Sequence, residues 1–338
     1  MKFMTIKDIA KKLGISHTTV SRALNDDPRI SKKTVAKIKE TASSMGYTPN
    51  TAARALTRAA KTNTIAIVTF SYFSIYPAEV MRGIEPEILK SRFEMDYYTT
   101  RRFTVIGTQG RDIYIFEKIL DERKADAVII ISANMSGDRN ILERYKNAGI
   151  QVVFVEGKGL WGHRVHYDNE KAAELAVNHL AEKGRKKIGI MIGNTRDAQS
   201  YKERLIGFKK TMQAKGMQAG DGNIFEFPED NPEVHRTALN FFLKNKVNAI
   251  YFAAGEGYML RVLEEIWKMG IKVPEDIAIV SQDDMRLSLA AGVTSVRQPV
   301  VEMGRKSVEI AVRAIEENDL ENMHDEIFYP ELIIRNST

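Results

Sequence analysis

The chain has 338 residues, 50 Lys and Arg against 44 Asp and Glu, and no Cys. That length supports two or three domains. The lack of Cys excludes a disulfide framework and any thiolate metal site. No apolar run is long enough to span a bilayer or to act as a secretory core, so a soluble cytoplasmic protein with no membrane partner is expected. The charge is uneven: residues 1–61 carry 13 basic and 4 acidic side chains, the remainder 37 and 40. A basic head on a near-neutral body is the electrostatic footprint of a nucleic-acid reader.

Thr5 to Asn25 reads T-I-K-D-I-A-K-K-L-G-I-S-H-T-T-V-S-R-A-L-N. Thr5 and Asp8 have capping-box spacing, and Ile6, Ile9, Ala10 and Leu13 recur at helical steps. Gly14 breaks this first helix, Ile15 plugs the angle, and Ser16 caps a second helix. There Val20, Ala23 and Leu24 point inward, leaving His17, Thr18, Ser21 and Arg22 free. That pattern is a helix-turn-helix, whose second helix enters the major groove of double-stranded DNA. Ser31 caps a third helix with a buried stripe of Val35, Ile38, Ala42 and Met45. Lys32, Lys33, Lys37 and Lys39 lie on or near its exposed side, within reach of phosphates.

These residues, followed by I-S-K-K-T and M-G-Y-T-P-N, resemble the head of the lactose-repressor (LacI/GalR-type) transcription regulators in order and spacing. The resemblance implies DNA contacts from Thr5, Ser16, His17, Thr18, Thr19, Ser21, Arg22, Asn25 and Ser31. The next stretch, T-A-A-R-A-L-T-R-A-A-K-T-N-T, has too little apolar surface for a stable isolated helix. By resemblance it is a hinge helix that orders on operator DNA. Asn50 and Ala53 would contact the DNA there, and Leu56 would wedge between base steps in the minor groove. Read from composition alone, the stretch is a flexible Ala-rich linker, and both descriptions hold if it orders on binding.

From Thr64 onward, short apolar runs alternate with helical stretches. The runs are Thr64–Phe70, Ala127–Ile131, Val152–Val155, Ile188–Ile192, Ala249–Ala254 and Ile277–Val280. The helices include Asn169–Lys183, Tyr201–Lys215, Gly257–Met269 and Val301–Glu317. This alternation predicts a doubly wound α/β fold with parallel strands, and the number of units predicts two lobes. Ala78–Glu85, Val177–Gly184, Arg204–Phe208, Ile277–Asp284 and Thr294–Gly304 are similar to the periplasmic-binding-protein-like body of the same family. The expected fold class is an N-terminal all-α helix-turn-helix head plus a two-lobed α/β body with two doubly wound parallel sheets. Expected boundaries are 1–48 for the head, 49–62 for the hinge and 63–338 for effector binding and dimerisation. One lobe would hold about 63–165 and 296–325, the other about 166–295 and 326–338.

In such a body a small molecule binds at the carboxyl ends of the strands. On spacing alone an Arg on a helix is usually solvated, an Asp after a strand often caps a helix, and a lone Tyr is often core. The resemblance assigns effector contact to Arg204, whose planar fork suits hydroxyls or a carboxylate, and to Asp283. It leaves Tyr76 between ligand and core. Gln282, Glu156, Trp161 and Glu256 are weaker candidates. Gly255-Glu256 stands where most members have Asn-Asp, Ser281-Gln282 replaces Gly-aromatic, and Pro77 replaces an aromatic, so the pocket copies no familiar specificity. A carbohydrate effector is what the family implies.

The expected function is a transcriptional regulator, most simply a repressor, acting as a homodimer on a pseudo-palindromic operator. The stretch Ile333–Thr338 lacks leucine heptads, so a tetramerising tail is not expected. A body that binds a protein partner or a non-sugar metabolite is the alternative. A transport receptor is disfavoured by the fused head and missing export signal. An enzyme is disfavoured by the absence of phosphate-loop, nucleophile-elbow and His-Glu-x-x-His motifs. No cofactor and no metal are expected: His163 and His166 lie three apart without a third ligand and read as surface or interdomain residues.

Overall fold

The computed structural model describes residues 4–24, 27, 29–45, 61–69, 75–100, 113–132, 134–135, 139–195, 198–227 and 233–338. The chain divides into two compact units, Met1–Ala60 and Lys61–Thr338.

In the first unit α1 (Ile6–Leu13), α2 (His17–Leu24) and α3 (Lys32–Ser44) close on one small core. Ile9, Ala10, Val20, Ala23, Ile38 and Ala42 are buried there, with Ile6, Leu13, Ile15 and Val35 packed around them. Thr5 and Asp8 form a reciprocal capping box, which satisfies orphan N–H groups and sets a carboxylate at the positive end of the helix dipole. Gly14 ends α1 at φ +67°, a conformation that penalises any Cβ.

The second unit holds two six-stranded sheets. The first has the spatial order Asp325–Phe328, His163–Tyr167, Gln151–Val155, Ala127–Ile131, Thr64–Thr69, Glu94–Thr99, all parallel. The second runs Glu331–Ile333, Thr294–Arg297, Ala278–Asp283, Ala249–Phe252, Ile188–Gly193, Ile224–Phe227, with only Glu331–Ile333 antiparallel. Every residue of Ala127–Ile131, Gln151–Val155 and Ile188–Gly193 is buried, which is why these strands read as continuous apolar runs. Helices Ile75–Leu89 and Val300–Glu317 pack on each other in the first lobe, and Asn169–Glu182 and Gln199–Ala214 do so in the second.

The chain passes between the sheets at Asp168, at Gln298–Pro299 and at Tyr329–Pro330. The limits expected from sequence, 165/166, 295/296 and 325/326, each fall a few residues early. The reason is that His163–Tyr167 pairs with Asp325–Phe328 to complete the first sheet, while Thr294–Arg297 belongs to the second. Among the described residues no helix is long and apolar enough to cross a membrane, and no cluster of three or more potential ligands could hold a metal ion.

Candidate functional site

On α2, burial of Val20 and Ala23 leaves His17, Thr18 and Arg22 exposed, with Thr19 and Ser21 half-buried. Ser16 Oγ accepts from Thr19 N at 3.0 Å and Ser31 Oγ from Thr34 N at 3.2 Å. Both hydroxyls, like that of Thr5, therefore serve helix starts. Lys32, Lys33, Lys37 and Lys39 are exposed along α3. Arg22 lies 3.9 Å from Asp27 with its side chain 48 % exposed, so its fork remains available. Asn25, Asn50, Ala53 and Leu56 fall outside the described residues.

In the body, a polar cluster is buried where the strands end and the chain crosses between lobes. Arg204, on Gln199–Ala214, is 5 % exposed. Its Nε donates to Asn169 Oδ1 at 2.8 Å, Nη1 to Ala253 O at 2.8 Å and Nη2 to Gln298 Oε1 at 3.5 Å. Nη2 also stands 3.8 Å from Asp283 Oδ1, close enough to attract but too far to hydrogen-bond. Asp283 ends its strand at φ +85° and Asp284 follows at φ +54°. This turn separates the two carboxylates: Asp284 is gripped by Arg297 at 3.0 Å and Arg335 at 2.6 Å, whereas Asp283 faces Arg204.

The first lobe contributes Tyr76, whose hydroxyl accepts from Gln298 Nε2 at 3.2 Å. It also contributes Glu156, whose Oε1 accepts from Tyr167 N at 2.7 Å and Oε2 from Asn169 Nδ2 at 3.1 Å. Asn169 Nδ2 reaches Glu203 Oε2 at 3.2 Å as well, so carboxylates of the two lobes share one amide. Asp283 Oδ1 and Thr69 Oγ1 are buried with no hydrogen-bond partner among the described residues. An orphaned buried polar atom costs about 1–3 kcal/mol, a penalty relieved when a ligand supplies the missing partner.

Burial raises the Asp283 carboxyl above its ordinary range, while Arg204 pulls it down. Burial acts against the Arg204 charge too, but Asp283 and the other acidic and phenolic neighbours outweigh it and hold the guanidinium above its usual range. Burial also lifts the Tyr76 phenol. Glu156 is pushed up to about 7 by burial, against Arg204 and the Asn169 hydrogen bond.

This last shift has a stability consequence. An unfolded glutamate ionises near 4.5, whereas folded Glu156 keeps its proton to about 7. Between those values the unfolded state binds fewer protons, so stability falls as pH rises through the window and levels off above it. Glu156→Gln removes this slope. Relative to wild type, the variant gains about 1–2 kcal/mol between pH 4.5 and 7.5, after discounting for partial solvent screening. Denaturant unfolding at the two pH values measures it, and parallel behaviour of the two proteins would refute the assignment.

Two family profiles match successive parts of the chain: bacterial regulatory proteins, lacI family, over residues 5–50, and periplasmic binding protein-like domain over residues 177–338. The chain joins a lacI-type DNA-binding head to a periplasmic-binding-protein-like body. The HTH-type transcriptional repressor PurR of Aliivibrio salmonicida is 25 % identical over 341 residues, 98 % of each chain. Catabolite control protein A of Priestia megaterium is 25 % identical over 319 residues, 92 % of each. Among solved structures, the Lac repressor dimer bound to operator and the anti-inducer ONPF is 19 % identical, with TM-score 0.78 and 99 % of each chain covered. The CelR–cellobiose complex is 23 % identical with TM-score 0.70, covering 99 % of this chain and 100 % of the other. The chain is a DNA-binding transcriptional regulator and not an enzyme.

Of the residues read from sequence in this body, Arg204, Asp283, Tyr76 and Glu156 come together at the cluster. Gln282 is fully buried and acts as a brace, accepting from Tyr251 OH at 2.6 Å and reaching Tyr167 OH at 3.5 Å. Glu256 does not present a free carboxylate to a ligand. Its Oε1 accepts from Met285 N at 2.6 Å and Ser288 N at 3.2 Å, its Oε2 from Leu287 N at 3.0 Å, so it caps the short helix Arg286–Ala290. Trp161 is also misplaced as a ligand residue. Its Nε1 donates to Leu320 O at 3.0 Å, and both residues precede their strands, at the end of the sheet opposite the cleft. His163 is no surface residue: it is buried, takes His324 N on Nδ1 at 3.1 Å and stacks on His324. Burial holds its imidazole down to about 4. Sequence reasoning missed Asn169, Gln298 and Tyr167, although Asn169 and Gln298 stand at the crossings it located.

Proposed function

We propose that this regulator is a cytoplasmic repressor that binds a pseudo-palindromic operator as a homodimer. Its operator affinity is set by a small molecule, a carbohydrate or sugar derivative, held between the lobes of residues 63–338. Residues 1–48 read the DNA, with His17, Thr18 and Arg22 of α2 facing base edges and Thr5, Thr19, Ser21 and the α3 lysines facing the backbone. Residues 49–62 link head to body, with Leu56 as the wedge.

The observation that carries the effector reading is the buried, unpartnered Oδ1 of Asp283 beside Arg204. A carboxylate with a vacant acceptor next to an anchored guanidinium suits a hydroxyl that donates to one and accepts from the other. Two structures of similar fold hold small molecules, cellobiose in CelR and ONPF in the Lac repressor dimer. The ligand can shift the lobes only by its differential affinity for their two arrangements.

The test is a thermal-shift screen of the full chain against neutral sugars, sugar phosphates, nucleosides and small acids, repeated on Asp283→Asn. Asparagine tolerates the left-handed backbone at this position. One sugar class should raise the wild-type melting temperature and lose most of that effect in the variant. A screen with no stabilising compound would transfer the body to a protein partner. A hit undiminished in Asp283→Asn would remove Asp283 from the site.

A further inference from the structure

We propose that Lys61 and Asp126 are positioning residues for operator binding: they fix the root of the linker to the body, and the helix Val300–Glu317 joins that root to the interlobe cluster. The inference rests on the regulator reading above and extends it to residues far from both the cleft and the DNA-reading helix.

Lys61 is the first residue of the second unit. Its Nζ donates to Ile315 O at 2.8 Å, across 254 positions of sequence. Ile315 lies in the last turn of Val300–Glu317, where carbonyls lack intrahelical partners and the helix dipole is negative. A lysine there meets both demands at once. The neighbouring orphan, Ala314 O, is taken by Gln151 Nε2 at 3.2 Å, so this helix end is held deliberately from two sides.

Asp126 makes the second attachment. Its Oδ1 accepts from Thr62 N at 2.9 Å and its Oδ2 from Asn63 N at 2.7 Å. Asn63 is left-handed, at φ +54°, so the carboxylate holds the chain in the turn by which the linker enters the strand Thr64–Thr69. Asp126 is itself fixed, since its N donates to Thr64 O at 2.8 Å and it leads directly into the central strand Ala127–Ile131.

The other end of the helix touches the cluster. Val300 begins it, two residues beyond Gln298, which accepts from Arg204 and donates to Tyr76. An 18-residue helix spans about 27 Å at 1.5 Å per residue. Its packing against Ile75–Leu89, the helix that carries Tyr76, leaves no slack: a Cβ on Gly304 would strike Val80 O and one on Gly83 would strike Val301 O. A change in the Gln298 contacts at one end therefore moves the helix as a body, and the Ile315 carbonyl with it.

The experiment uses the full chain and a duplex that the chain itself selects from a random pool. Lys61→Met and Asp126→Ala should each weaken duplex affinity at least fivefold, while Lys61→Arg, which keeps the donor, stays within twofold of wild type. In a double-mutant cycle, the effect of Gln298→Ala on affinity should shrink at least threefold on the Lys61→Met background. Lys61→Met affinity within twofold of wild type, or effects that simply multiply, would overturn the proposal. Amide exchange of the full chain gives a readout independent of DNA. Thr62 and Asn63 should be protected in wild type and exchange at least tenfold faster in Asp126→Ala, with the rest of the body unchanged. Equal exchange in the two proteins overturns the clamp. If the wild-type chain selects no duplex, the regulator reading fails separately, and the exchange result still decides whether the linker root is held.

Discussion

Gly304→Ala should destabilise the body by about 3 kcal/mol, against the general preference of helices for Ala over Gly by roughly 1 kcal/mol. Gly304 sits in Val300–Glu317 where that helix crosses Ile75–Leu89, and an added Cβ would overlap the backbone carbonyl of Val80. Gly83, on the opposite face of the same crossing, meets Val301 O. Neither obstacle is the flexible end of a side chain, so the helices must separate, and Val80, Ile84, Met303 and Val308 lose contacts made at full burial. Gly83→Ala should cost a similar amount, and the double substitution less than the sum, because one separation accommodates both methyl groups. Gly257 provides the contrast. It lies in the helix Glu256–Lys268 with open space around its Cβ position, so Gly257→Ala should stabilise by about 1 kcal/mol. Denaturant unfolding of the four variants and the wild type measures all of this, and a neutral Gly304→Ala would show that the helices do not meet as described.

Arg22→Ala should weaken binding to the selected duplex by about 5- to 150-fold for each half-site, corresponding to the roughly 1–3 kcal/mol that one bidentate base contact supplies. Arg22 is the one arginine in α2, and with His17 and Thr18 it is exposed. An Arg fork reads the O6 and N7 of guanine in the major groove, so the variant should also relax preference at one position in each half-site. Lys37→Ala should behave differently. Lys37 is exposed on α3, suited to a phosphate, so its loss should weaken binding evenly across sequences and reduce the salt slope by about 1 for each protomer bound. Affinity at several salt concentrations separates the two behaviours. A salt-only effect from Arg22→Ala would place that residue on the backbone instead of a base.

The head was legible because its determinants are local: Thr5 and Asp8 three apart, Gly14 at a left-handed position, and apolar residues at helical steps. Central strands such as Ala127–Ile131 and Ile188–Gly193 were legible because burial on both faces leaves an unbroken apolar run. Strands at or next to the sheet edges were not. Glu94–Thr99, an edge, reads E-M-D-Y-Y-T and His163–Tyr167, one strand in from the other edge, reads H-R-V-H-Y, so neither forms an apolar run, and missing the pairing of His163–Tyr167 with Asp325–Phe328 displaced two of the lobe limits. Arg204 and Asp283 stood out only through family resemblance. Their partners Asn169 and Gln298 did not, because the cluster joins side chains up to 222 positions apart and no periodicity marks such a gathering. Glu256 misled for a related reason: a carboxylate at a strand end suits a ligand or a helix cap equally, and only the amides of Met285, Leu287 and Ser288 decide between them.

The most direct measurement of DNA reading by α2 is selection of bound duplexes from a random pool by the full chain, run in parallel with Arg22→Ala. The expected result is a two-fold related sequence whose half-site centres lie one helical turn apart or a multiple of it, with one half-site position losing its preference in the variant. Enrichment of no sequence, or of one identical in both proteins, would contradict recognition through this helix.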